Sequence, residues 1–155
     1  MDKLTKTFTA GVVGTSLMTA GSALMSILPN EEFREPDQLS KLIGRLIPWL
    51  PESSKIITGW GAHYAMGFLF AAAYVELWEE NKIEHSIKNG IMLGILSGFL
   101  GILIWKATFK IHPLPPNNKK MDFYLQRIPA HVIFAVFATL GYSKLIQVER
   151  KKEEG

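Results

Sequence analysis

The 155-residue sequence contains no cysteine. That excludes a disulfide framework, a thiolate zinc site, a cysteine-ligated iron–sulfur cluster and a c-type haem attachment. It also has no Walker loop, no dinucleotide fingerprint, no His-Glu-x-x-His and no Gly-x-Ser-x-Gly, so the common nucleotide and hydrolase signatures are missing. The most informative absence is local. Residues 7–30, 56–75, 89–105 and 128–143 hold no Asp, Glu, Lys or Arg, in runs of 24, 20, 17 and 16 residues. All 17 basic and 14 acidic residues therefore crowd into the other half of the chain. A soluble helical bundle shows water a polar stripe on each helix, so its charges recur every few residues. These runs have no such stripe.

A hydrocarbon slab about 30 Å thick needs roughly 20 helical residues, with a usual range of about 17–25. The first two runs meet that requirement. The third and fourth reach it if the stems of Lys88, Lys106, Arg127 and Lys144 snorkel to the interface. The mean hydropathy of +0.14 averages such spans with very polar connections. The sequence thus predicts one all-α integral membrane domain over residues 1–155, a four-helix bundle with spans at about 8–28, 56–77, 88–105 and 128–146. Trp60 and Trp78 bracket the second span, Trp105 closes the third and Tyr142 lies near the end of the fourth, as in an aromatic belt at headgroup level. Pro129 is expected in the first turn of the fourth helix, where its missing N–H costs nothing. Lys3 and Lys6 ahead of an apolar stretch, with Ala20, Gly21 and Ser22 behind it, also fit a cleaved signal peptide. The segment is read here as a retained span.

Four spans put both termini on one side together with the connection 79–88, and leave the long connections 31–55 and 106–127 on the other. Lys and Arg number 8 on the terminus side and 9 on the long-loop side, so no positive-inside asymmetry sets the orientation. The Lys3/Lys6 tail before the first span is the reason to place the termini in the cytoplasm. In the first long connection Leu39, Leu42, Ile43, Leu46 and Ile47 share one helical face, with Lys41 and Arg45 opposite. Pro36 and Asp37 supply a start, Pro48 and Pro51 a stop, giving an amphipathic helix at about 37–47. It either lies in the headgroup plane with Trp49 as an anchor or caps the mouth of the bundle. In the second long connection His112-Pro113-Leu114-Pro115-Pro116 reads as a stiff, extended turn leading into Asn117, Asn118, Lys119 and Lys120.

The chain also reads as two copies of span, long loop, span. Ala62-His63 is matched by Ala130-His131, and each histidine is followed eleven residues later by a tyrosine, Tyr74 or Tyr142. Eleven residues are about three helical turns, so each His–Tyr pair shares a face. Two such parallel repeats imply a pseudo-twofold axis along the membrane normal. Gly90, Gly94, Gly98 and Gly101 form a small-residue stripe on the third span, while Gly11, Thr15 and Thr19, continued by Ser22 and Ser26, form one on the first. Stripes of this kind let helix backbones approach closely, either inside the bundle or across a homo-oligomer seam.

An ionisable residue inside a span is a functional candidate by default. His63 and His131 both fall in the outer third of the bilayer on the long-loop side, where His112, Lys106 and Arg127 also lie. Three readings stay open for the histidine pair: hydrogen-bonding glue between helices, a polar pocket for a ligand or headgroup, and ligation of haem or a transition metal. No carboxylate falls inside a charge-free run, which disfavours an ion-coupled transporter or an oligomeric channel. The pI of about 9.1 arises from the flanks of spans, so it points to the lipid bilayer and its anionic headgroups and not to nucleic acid.

Gly11-Val12-Val13-Gly14-Thr15-Ser16-Leu17-Met18-Thr19, the stretch Gly59–Phe68 and Ala130-His131-Val132-Ile133-Phe134 together resemble motifs of a loose group of small four-helix bacterial inner-membrane families, domains of unknown function. The resemblance implies a multi-pass protein of the bacterial cytoplasmic membrane, and no reaction. The expected function is therefore binding or interaction without catalysis, through a His-bearing pocket on the long-loop side. Its cargo would be a lipid headgroup, a small polar ligand or a membrane protein partner. Candidate pocket residues are His63, His131, His112, Lys106, Arg127, Tyr74 and Tyr142. The alternative is a haem or metal redox protein ligated by His63 and His131.

Overall fold

The computed structural model describes residues 1–27, 33–115 and 120–154. Asn117, Asn118 and Lys119, and the end of the first span taken at residue 28, lie outside the described residues. Within them the chain forms five helices and no strand: α1 (Lys3–Ile27), α2 (Glu35–Leu46), α3 (Glu52–Glu79), α4 (Ile87–Ile111) and α5 (Lys120–Glu153). Helices α1, α3, α4 and α5 are long and apolar enough to cross a membrane. Each outruns its charge-free stretch by several residues at one end or both. Charge-free length marks the hydrocarbon depth, whereas backbone hydrogen bonding continues through the headgroup layer.

The outer surface agrees with a multi-pass membrane protein. Leu24 is 68% exposed, Ile57 71%, Leu69 64%, Leu96 60% and Leu103 62%. Large aliphatic side chains therefore look outward on helix after helix, which water would not tolerate over so wide an area. The interior holds the small and polar residues instead. Helices α1 and α5 form the central pair; α3 packs on α1, α4 packs on α5, and α2 lies across α3. Close approach depends on glycine. A Cβ on Gly94 would come within 2.5 Å of Val132 Cα, and one on Gly98 within 2.8 Å of Ile128 Cα. The stripe on α4 is thus taken up by α5 of the same chain. Gly14 is similarly pressed against Phe134 of α5, and Gly11 and Gly67 hold the α1–α3 contact against Phe68 and Thr15.

The termini and the α3–α4 turn meet at one end. Lys6 lies 3.0 Å from Glu79 and 3.5 Å from Glu149, Lys3 pairs with Glu76, and the N-terminal amine pairs with Glu149. Tyr142 donates to Glu79 at 2.6 Å. Lys3 and Lys6, expected to mark the cytoplasmic flank, are therefore matched by carboxylates of the chain itself. The turn that leaves α3 has Asn81 at φ 52°, with Lys82 N–H bonded to Leu77 O and Asn81 N–H to Trp78 O. This is a Schellman C-cap with asparagine in the left-handed position.

Three details differ from the sequence expectation. Pro129 sits well inside α5 and not in its first turn, because the helix begins at Lys120; the carbonyl of Leu125 accordingly lacks its helical donor. Trp78 and Trp105 are 3% and 6% exposed and face the bundle interior, so they are not belt residues. Arg127 does not snorkel: it is 0% exposed and paired with Glu35.

The packing predicts unequal costs for adding one methyl group. Gly94→Ala should lose about 1–3 kcal/mol in a denaturant titration in mixed micelles, because the added carbon meets backbone that cannot step aside. Gly61→Ala, with nothing within 4 Å of the new carbon, should lose nothing.

Candidate functional site

The start of α2 brings a carboxylate to the histidines. Glu35 is 7% exposed and inserts between α3, α4 and α5. Its Oε1 is 2.6 Å from Arg127 Nη1 and accepts from Trp105 Nε1 at 2.8 Å, while its Oε2 is 3.3 Å from His63 Nδ1. Burial by itself would raise the Glu35 carboxyl, but Arg127 and the His63 contact outweigh it and hold the group well below the ordinary glutamate range.

Arg127 makes further contacts in turn, while its Nη1 meets Glu35 as an ion pair without hydrogen-bond geometry. Its Nε donates to Phe123 O at 3.2 Å, its Nη2 donates to Phe33 O and Gln126 Oε1, and its guanidinium carbon lies 4.1 Å from the centre of the Phe123 ring. Gln126 Nε2 passes the network to Ser22 at 3.0 Å. A guanidinium can be buried beside a bilayer only when its charge is matched and most of its donors are engaged.

His63 uses both ring nitrogens. Nδ1 faces the carboxylate and therefore carries a proton; Nε2 is 2.8 Å from Thr19 Oγ1, which also lies 2.8 Å from Thr15 O. The single Thr19 proton can go to either acceptor. His131 differs. It is 4% exposed, packs edge-on against Phe70 at 5.1 Å between ring centres, and its Nδ1 finds no hydrogen-bond partner among the described residues. Thr15 Oγ1 is likewise buried without a partner there.

His63, His131, Thr15 and Glu35 line one cavity of about 90 Å³, whose remaining walls are mainly apolar, among them Met66, Phe70 and Ile104. Of the seven candidate pocket residues, the two histidines line this cavity and Arg127 anchors the carboxylate at its edge. The other four lie elsewhere. His112 accepts from Leu114 N–H through Nδ1 and so donates through Nε2 to Leu42 O at 3.1 Å, tying α2 to the end of α4. Lys106 sits over the Tyr124 ring at 5.7 Å. Tyr74 donates to Ser97 at 2.7 Å on the far side of the cavity, and Tyr142 belongs to the terminus-side cluster.

Glu35 is the residue that the sequence reading passed over. Its signal was present: counting back four residues from Leu39 lands on Glu35, in phase with the apolar face of α2. Among the described residues no group of three or more His, Asp or Glu is arranged to hold a metal ion. No family model, curated protein or solved structure matches the chain.

Removing one charge should cost far more than removing both. Glu35→Gln strands the Arg127 guanidinium and should lose about 3–5 kcal/mol in detergent unfolding, and adding Arg127→Met should restore most of it. Because the folded-state carboxyl is depressed, its contribution is complete above the ordinary glutamate pKa of about 4.3 and is lost as pH falls below that value. Wild-type melting temperature should therefore drop below about pH 4 more steeply than that of the double variant.

Proposed function

We propose that the chain is a non-enzymatic, multi-pass binding protein of the bacterial cytoplasmic membrane, and that the cavity between His63 and His131 is where it holds its ligand. The observation that carries this reading is the pair of buried, unpartnered polar atoms, Thr15 Oγ1 and His131 Nδ1, on residues lining one cavity. Buried polar groups are normally satisfied, so two in one place mark a position that a ligand or an ordered water completes. The bacterial inner-membrane assignment rests on the motif resemblance, and the cytoplasmic termini on the Lys3/Lys6 tail. A C-terminal reporter active only outside the cytoplasm would overturn the orientation.

The two-repeat architecture is part of the proposal. In its support α1 packs on α3 as α4 packs on α5, and His63 of α3 and His131 of α5 line one cavity; the central α1–α5 contact has no α3–α4 counterpart, so any pseudo-twofold relation is confined to the two helix pairs. Helix α2 ends on exposed Leu46, with Ile47 and Trp49 exposed just beyond it and Leu42 buried, which suits a helix lying in the headgroup plane while plugging the bundle. The haem or metal reading has less support, because both nitrogens of His63 are engaged by Glu35 and Thr19. A proton or ion relay is disfavoured on new grounds: a carboxylate is present after all, but Arg127 and Trp105 hold it.

The two histidines should separate on mutation. His131→Leu keeps the bulk against Phe70 and removes a nitrogen that has no partner among the described residues, so the melting temperature in mild detergent should stay close to wild type. Small molecules extracted from the purified wild type should include one present at about one per chain and depleted in His131→Leu. Equal content in both proteins, measured by mass spectrometry of the extracts, would sink the pocket reading.

A further inference from the structure

The cavity is closed toward the long-loop end and open toward the side. At that end Glu35, Arg127, Trp105 and His63 interlock, and Phe33, Leu42, Phe109 and Phe123 pack over them with Trp105. Among the described residues no comparable closure lies between α3 and α4. These helices do not pack along their lengths; the Tyr74 hydroxyl crosses between them to Ser97 and to Leu93 O. Above that crossing, cavity walls come from Met66 and Phe70 on one helix and from Gly101 and Ile104 on the other. Met66 is 36% exposed on the lipid-facing surface, and Ile104 is half-buried beside it. A window therefore lies in the α3–α4 seam, with α2 as its lintel and the Tyr74–Ser97 bond as its sill.

We propose that this window is a lateral portal and that the occupant is a single-chain fatty acid, inserted carboxyl-first from the bilayer. The inference rests on the pocket reading above and adds the route and the ligand class. Three observations select the class. The route runs through the apolar flank of the bundle, so the ligand must partition into lipid. The cavity, at about 90 Å³, is smaller than the roughly 150 Å³ apolar cavity that accommodates a benzene ring, so a slender head such as a carboxyl group suits it better than a ring, and the chain trails into the seam. Thr15 Oγ1 can donate and His131 Nδ1 can accept, which complements the carbonyl and the hydroxyl of an un-ionised acid. The guanidinium of Arg127 is already matched by Glu35 and the other walls are mainly apolar, so no free cation awaits a carboxylate and the neutral form is favoured.

The test uses the full-length protein in phosphatidylcholine nanodiscs and a palmitic acid carrying a diazirine close to the carboxyl. Photolabelling should be saturable, should map to residues 66–70 and 101–108, and should be competed by palmitic acid but not by hexadecane. Met66→Trp and Ile104→Trp fill the window from its two sides and should each cut labelling about tenfold while keeping a cooperative melting transition, as should the near-isosteric Thr15→Val through loss of about one hydrogen bond. Labelling spread over Leu24, Leu96 and Leu140 without saturation, or equal competition by hexadecane, overturns the proposal. A co-purifying ligand that is lost in His131→Leu but kept in both tryptophan variants overturns the portal and leaves the pocket standing. Saturable seam labelling that is unchanged in Thr15→Val and His131→Leu overturns the carboxyl-first assignment together with the pocket.

Discussion

One buried ion pair organises the long-loop end of this molecule. Arg127 is placed by α5 where no water reaches it, and a lone guanidinium there would be prohibitive. Glu35 supplies the countercharge, and because it is the first residue of α2, supplying it draws the whole amphipathic helix down onto the bundle. Trp105, His63 and the carbonyls of Phe33 and Phe123 then find their partners around the pair. A buried pair of this kind need not add net stability over an apolar substitute. Its structural effect is positional: it fixes where α2 begins, and thereby what covers the cavity.

The two ends of the bundle solve the same electrostatic problem differently. At the terminus end, Lys6 is shared between Glu79 and Glu149 in a partly exposed cluster. At the other end the charges are sealed behind aromatic rings. Between the two, the core is built from glycine, alanine, hydroxyls and a few aromatics, and the large aliphatic residues look outward. In lipid, helices associate through close backbone approach and hydrogen bonds, since burying leucine gains little over leaving it among acyl chains. The inside-out distribution follows from that.

The absence of charge was enough to read four spans, since a run such as residues 56–75 has no other use in a chain this polar elsewhere. The glycine stripe on α4 was legible as a packing surface because spacing of three and four residues survives any tertiary arrangement. The histidines were legible as candidates, but their inequality was not. What separates His63 from His131 is a carboxylate that lies 28 residues before the one and 96 before the other in the sequence. Charge counting placed Glu35 and Arg127 in loops and at rims, because it treats every charge near a span as seeking water. Two opposite charges that find each other need not. Trp105 misled for a related reason: an indole near a helix end serves equally as an interfacial anchor or as a buried donor, and only the partner distinguishes them.

Proline in α5 gives the ion pair and the cavity an unequal mechanical relation. Pro129 falls between Arg127 and His131, and the ladder bond it omits, to the carbonyl of Leu125, spans the turn that carries Arg127 just ahead of His131. The segment carrying the guanidinium is clamped to α2, while the segment carrying the imidazole is pressed into the glycines of α4. A continuous rod would transmit any tilt of one to the other in full. With its ladder interrupted at that turn, α5 can bend there, so the ring can adjust to what fills the space beside it while the seal above stays shut.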